Sequence, residues 1–295
     1  MVARLRAAGC VFAEDEARLL IDAGGELEAL VARRVGGEPL EQILGWAEFR
    51  GLRVGVAPGV FVPRARTAEL VDAALPLLRA AGARPVDAVP DEADRPAPVL
   101  VDLCCGTGAL GLACAREVAV QLVAADIEPA AVACARLNLG SAAERGDRVP
   151  GGASTAVAAG SATPTARGAG TPLVYRGDLF DALPDALRGT IAVLLANVPY
   201  VPSDAVATLP LEAREHEPRR ALDGGADGLD VLRRVVARVP EWLAPGGHVL
   251  METSAAQADP ALQALAENNL AGRLAGSGEH GTTVVIGTLS SPCAR

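Results

Sequence analysis

Val99–Leu103 is an apolar run that ends in a glycine loop, Asp102-Leu103-Cys104-Cys105-Gly106-Thr107-Gly108, and the helical stretch Gly108–Val118 opens directly from that loop. Glycine allows so tight a turn and lets a ligand approach the backbone closely. Val120–Ala125 reads as a second strand with Asp126 at its end, and Pro129–Leu139 as a second helix with proline at its first position. Further strand-like runs lie near Leu173–Tyr175, Ile191–Ala196, His248–Glu252 and Thr283–Leu289, with a helix over Leu229–Leu243. Apolar strands alternating with helices imply an α/β fold, a mainly parallel sheet covered on both faces.

The flanking segments read differently. In residues 1–45, Ala17, Leu20 and Ile21, then Leu27, Leu30 and Val31, recur at helical spacing, and Gly24–Gly25 and Gly36–Gly37 stop each run. Leu52–Val56, a turn at Pro58–Gly59 and Val60–Val62 predict a β-hairpin. A helix is expected from Thr67 to Ala81, kinked or interrupted at Pro76. The proline- and acid-rich residues 82–98 read as a flexible linker. Residues 141–172, rich in Ala, Gly, Ser and Thr without period, read as a disordered insertion. The expected division is a helical segment at 1–45, a hairpin connector at 46–65 and a main domain at 66–291.

Composition narrows the function. A formal net charge of −9 with no basic run disfavours a phosphate-binding surface, so no direct nucleic-acid partner is expected. The longest uncharged stretches, Val149–Ala166 and Gly189–Ser203, are broken by Pro and Gly or are too short to span a membrane. With no apolar signal core at the start, a cytoplasmic protein is expected. The chain has no lysine, which excludes a P-loop lysine and a Schiff-base lysine. The cysteines, among them adjacent Cys104 and Cys105, lack metal-site spacing and read as buried thiols. His216, His248 and His280 are scattered and read as satisfied or surface groups.

The glycine loop alone leaves the cofactor open. Gly106, Gly108 and Gly111 fit a dinucleotide fingerprint, and Asp126 stands where an acid would meet a ribose of either NAD or S-adenosylmethionine. Two features lean toward S-adenosyl-L-methionine. Asp102 beside the loop suits a cationic amino-acid moiety and opposes a pyrophosphate, and Asp178 after the third strand is placed to accept from an adenine amine. A second motif, Asn197-Val198-Pro199-Tyr200, follows the strand Ile191–Ala196 and faces the same crevice. An asparagine carbonyl beside a backbone carbonyl can accept both hydrogens of an –NH₂ group and aim the nitrogen lone pair, while tyrosine offers a flat wall. Glu252, at a strand end near the crevice, is assigned no role. Arg64 stands evenly between a cofactor carboxylate and a surface acid.

Together these motifs resemble the protein-(glutamine-N(5)) methyltransferases that modify peptide-chain release factors. The resemblance covers nearly the whole chain. It runs through Gly37-Glu38-Pro39-Leu40-Glu41-Gln42-Ile43-Leu44-Gly45, Glu48-Phe49, Pro58-Gly59-Val60-Phe61-Val62-Pro63-Arg64, Thr67 and Glu69. The glycine loop, Asp126, Gly177-Asp178-Leu179-Phe180, Asn197 to Tyr200, Glu217-Pro218 and Ala221-Leu222 follow in order. It implies a class I, Rossmann-like S-adenosylmethionine-dependent methyltransferase with a short N-terminal partner-recognition segment. The implied cofactor residues are Asp102, Cys104, Gly106, Gly108, Asp126, Asp178, Leu179 and Asn197, and the implied catalytic residues are Asn197, Val198, Pro199 and Tyr200. The implied partner is a translation release factor. Val198 replaces the first of the family's two prolines and Cys104 its first loop glycine, which points to a related branch. Competing readings are a methyltransferase acting on an exocyclic amine of a nucleic-acid base, a cofactor-binding interaction protein without catalysis and, more distantly, a dehydrogenase.

Overall fold

The computed structural model describes residues 1–86, 96–144, 171–276 and 282–290. Four short helices open the chain: α1 (Val2–Ala7), α2 (Ala13–Asp22), α3 (Leu27–Val35) and α4 (Leu40–Leu44). Their apolar stripes meet in a small core that includes Leu5, Ala17, Leu20, Val31 and Ile43. Gly45 ends α4 in the left-handed region.

The hairpin lies earlier than expected. Its strands are β1 (Trp46–Phe49) and β2 (Leu52–Gly55), paired antiparallel with Phe49 opposite Leu52. Arg50 and Gly51 both adopt positive φ, 52° and 72°, as a two-residue turn of right-handed strands requires. Val60–Val62 is not a strand; Val60 and Val62 are buried as irregular chain. Helix α5 (Ala68–Ala80) runs through Pro76 without interruption. Pro76 lies on the exposed side, while Leu70, Val71, Ala74, Leu75 and Leu78 bury the opposite face, and that burial outweighs one lost backbone bond. Within the expected linker, Ala83 is buried and Pro85 bridges to Val118; residues 87–95 lie outside the described residues.

The main sheet has seven strands in the order β5-β4-β3-β6-β7-β9-β8. They are β3 (Val99–Leu103), β4 (Gln121–Asp126), β5 (Leu173–Arg176), β6 (Ile191–Ala196), β7 (Leu243–Thr253), β8 (Leu270–Ala275) and β9 (Thr283–Leu289). The first five of these in the sheet order are parallel, and β9 pairs antiparallel with both β7 and β8. Alternate residues face opposite layers. Leu100, Leu122, Val193 and Leu195 pack under α5 and α6 (Ala109–Glu117). Val101, Leu103, Val123, Leu194 and Ala196 pack with residues of α10 (Asp230–Arg238) and α11 (Ala258–Glu267). Burial on both faces explains why these strands read as continuous apolar runs.

Other boundaries shift. Helix α7 (Pro129–Glu144) extends into the expected insertion, whose residues 145–170 lie outside the described residues. The expected helix Leu229–Leu243 ends as α10 at Arg238 and passes through a 3₁₀ turn, because Pro240 follows within two residues. Two short helices, α8 (Leu211–His216) and α9 (Arg219–Leu222), follow β6.

Candidate active site

The register pairs Leu103 with Ala196, so the glycine loop after β3 and the Asn197–Tyr200 segment after β6 leave the sheet side by side. Between them opens a cleft of about 500 Å³, lined by Cys104, Gly106, Asp126, Asn197 and Tyr200 among others. Its position beyond the carboxyl ends of adjacent parallel strands, where the chain order reverses, is where open α/β sheets bind ligands.

The loop is shaped by backbone that prefers glycine. Cys104, Gly106 and Gly108 all have positive φ, and a Cβ on Gly106 would meet nothing within 4 Å. Asp126 braces the loop by accepting the Gly106 N–H at 2.9 Å, and it caps the next turn by accepting the Glu128 N–H at 2.9 Å. Burial raises its carboxyl above the ordinary range, against the pull of these N–H groups. Cys104 also lines the cleft, and burial pushes its thiol up, which favours the protonated form. Gly108 lies behind the cleft wall at the start of α6, against Leu139.

Like Gly108, three more of the expected cofactor residues do not line the cleft. Asp102 lies beneath the loop at 1% exposure, where its Oδ2 accepts the Gly111 N–H at 2.9 Å and Oδ1 has no partner. It therefore supports the loop from below rather than facing the cleft. Asp178 accepts from the Arg234 guanidinium at 2.7 Å and does not line the cleft. Leu179, at φ 50°, is buried in the core beside Phe180.

All of Asn197, Val198, Pro199 and Tyr200 line the cleft. The Val198 side chain is itself buried in the core with Val101, Leu103 and Ala196, so packing fixes this position where a proline ring would otherwise stiffen it. Gln257 donates to the Tyr200 carbonyl at 2.8 Å and to the Asp227 carbonyl at 2.9 Å. The Tyr200 hydroxyl donates to Glu252 Oε1 at 3.1 Å and accepts from Arg66 Nη2 at 2.8 Å. Burial, then the Glu252 carboxylate, raises the Tyr200 phenol above its usual range, against the pull of Arg66. Sequence reasoning missed Arg66 and Gln257, and named Thr67 without a role. Glu252 was visible as an acid at a strand end, but its partners come from a distant segment.

The far wall of the cleft is built by residues 209–222, including Pro210, Ala213 and Leu222. This segment also seats the N-terminal helices. Arg34 of α3, 12% exposed, bridges Glu16 at 2.7 Å and Glu212 at 3.0 Å. Gln42 of α4 donates to the carbonyls of Val60 and His216 at 3.2 and 3.3 Å. Arg64 pairs at 2.7 Å with both oxygens of Glu217, whose side chain is 0% exposed; its partner is a buried acid, not a surface one. The described cysteines are unpaired thiols, and no metal-holding cluster of His, Cys, Asp or Glu occurs among the described residues. Nδ1 of His248 is satisfied by the Thr288 hydroxyl.

This strand order, with its glycine loop, acid and Asn-x-Pro-Tyr turn on one crevice, defines a class I methyltransferase. Residues 88–160 match the methyltransferase small domain model. The chain is 35% identical over 234 residues to a release factor glutamine methyltransferase of Geobacter sulfurreducens, covering 79% of this chain and 66% of that protein. It is 32% identical over 280 residues to one from Bradyrhizobium diazoefficiens, covering 88% and 81%. A 4-amino-L-phenylalanine/4-methylamino-L-phenylalanine methyltransferase of Streptomyces pristinaespiralis is 36% identical over 223 residues, covering 75% and 63%. The chain belongs to the release factor glutamine methyltransferase family, and it spans about two thirds of the length of the Geobacter relative.

Proposed function

We propose that this protein transfers a methyl group from S-adenosylmethionine to the side-chain amide nitrogen of a glutamine in a release factor. The observation that carries the reading is the shared cleft, with the braced glycine loop at one end and the Asn197–Tyr200 turn at the other. The residues present fit the cofactor. The cleft lies within the size range of small-molecule sites. Gly106 leaves open space where a side chain would intrude, and Asp126 offers a carboxylate to ribose hydroxyls. Backbone at Cys104–Thr107 and the Asn197 side chain complete the holding set. When bound, the cofactor supplies the electrophilic methyl group.

The protein's own task is to prepare a poor nucleophile. An amide nitrogen shares its lone pair with the carbonyl. The Asn197 side chain has no hydrogen-bond partner among the described residues and lines the cleft, free to accept one N–H. The Val198 carbonyl, held by the buried valine, accepts the other. Fixing both N–H bonds orients the lone pair toward the methyl group, so the rate comes from placement and preset dipoles. Tyr200 provides a flat wall whose ring is tied at its hydroxyl.

The test is incubation of release factors with labelled cofactor, followed by mass spectrometry. Labelling of one glutamine, abolished in its Gln→Asn variant, supports the reading. Labelling of RNA or DNA instead moves the case to a base amine. Labelling of a free aromatic amino acid alone moves it to the activity named for the Streptomyces pristinaespiralis relative.

A further inference from the structure

Glu252 is an acid at 2% exposure near the end of β7, one strand over from Asn197. Three side chains converge on it. The Thr67 hydroxyl donates to Oε2 at 2.6 Å, while the Tyr200 hydroxyl and Arg66 Nε donate to Oε1 at 3.1 and 3.3 Å. Arg66 Nη2 closes the ring of contacts by donating to the Tyr200 hydroxyl at 2.8 Å. The 3₁₀ turn Ala65–Thr67 presents both partners, and Arg66 and Thr67 line the cleft beside Tyr200. Arg66 spends one edge of its guanidinium on this cluster. Its Nη1 has no protein partner among the described residues, and its side chain remains 45% exposed.

An arginine held on one edge and open on the other is a preset donor. We propose that Arg66, positioned by Glu252, binds a main-chain carbonyl oxygen of the acceptor segment beside the glutamine. This rests on the reading of the protein as a glutamine methyltransferase. A neutral carbonyl suits the site because the Glu252 carboxylate already balances the arginine charge. The reacting amide's own oxygen is the wrong target: a donor there would draw the lone pair further from nitrogen and slow the transfer. A main-chain contact grips the acceptor equally in ground and transition states, so it acts on KM.

The experiment is steady-state methylation of a release factor by wild type, Arg66→Met, Glu252→Gln and the double variant, with cofactor affinity measured by calorimetry. Arg66→Met is expected to raise KM for the release factor about ten- to hundredfold, the loss of a charged hydrogen bond. It should leave kcat within a few-fold and cofactor affinity unchanged. Glu252→Gln should raise KM as well, yet add little in the Arg66→Met background, because it acts through Arg66. Unchanged KM in Arg66→Met overturns the inference, as does a fall in kcat alone or full additivity in the double variant. Arg66 is half-exposed, so its variant stays informative if Glu252→Gln fails to fold. No transfer by wild type would overturn the underlying function, whereas wild-type transfer with indifferent variants overturns this inference alone.

Discussion

Asp102 makes the stability of this protein depend on pH in a way that a single substitution should remove. Its carboxyl is 1% exposed, accepts one N–H from Gly111 and leaves Oδ1 without a partner. Burial is the main cause that raises it from 3.8 to about 7, with the Asp126 carboxylate adding to the rise. The folded state therefore holds this proton across pH values at which the unfolded chain has released it. Stability from this group is fully present below about pH 4 and is lost as pH rises through about 7. A rise of about three pH units at about 1.4 kcal/mol each gives about 4 kcal/mol lost between those limits. Asp102→Asn keeps an acceptor for Gly111 and cannot ionise. It leaves a buried –NH₂ unpaired, a cost of about 1–3 kcal/mol that is the same at every pH. The comparison is thus of slopes. Urea unfolding of both proteins at pH 5, 6, 7 and 8, without cofactor, should show wild type losing stability relative to the variant by a few kcal/mol as pH rises. Parallel pH profiles would refute the reasoning and mean that Asp102 is charged in the fold.

Three further outcomes are expected. Asp126→Ala removes a carboxylate that braces Gly106 and faces the cleft; calorimetry should show S-adenosylmethionine affinity about ten- to hundredfold weaker, and unchanged affinity would take the ribose away from this residue. Asn197→Ala should slow transfer by about 10²–10³ at saturating cofactor, the scale for one preorganised polar group at a reacting centre, and near-normal turnover would remove it from the acceptor site. Gly228→Ala would place a Cβ against the Tyr200 carbonyl oxygen and the Gln257 amide at φ 77°, so it should cost about 1–3 kcal/mol in thermal unfolding and lower turnover; a silent variant would show that the loop does not need this support.

The strands that carry the site were legible because burial on both faces leaves an unbroken apolar signature; Ile191–Ala196 and Thr283–Leu289 needed no adjustment. Strand β8, Leu-Ala-Gly-Arg-Leu-Ala, was missed for the opposite reason: it is an edge strand whose middle residues are exposed, so nothing in it alternates. The hairpin was misplaced because its turn uses Arg50-Gly51 where Asn-Gly would have announced it. Asn197 to Tyr200 and Asp126, read from chemistry at strand ends, all line the one cleft. Asp102 and Asp178, expected as cofactor residues, do not line the cleft: a sequence places a carboxylate at a strand end without saying which way it turns. Arg234, which claims Asp178, lies 56 residues further along the chain.

Residues 209–222 are at once a wall of the cleft and the seat of the N-terminal helices, and this has a mechanical corollary. The four helices share only a small core and are held from outside by Arg34 on Glu212 and by Gln42 on two distant carbonyls. So few residues cannot offset their own ordering entropy. The helices should therefore borrow their persistence from the catalytic body and are expected to melt with it in a single cooperative event. Excised, they would not survive as a portable module. Grafted onto another scaffold, they would need Glu212 and its neighbours to travel with them.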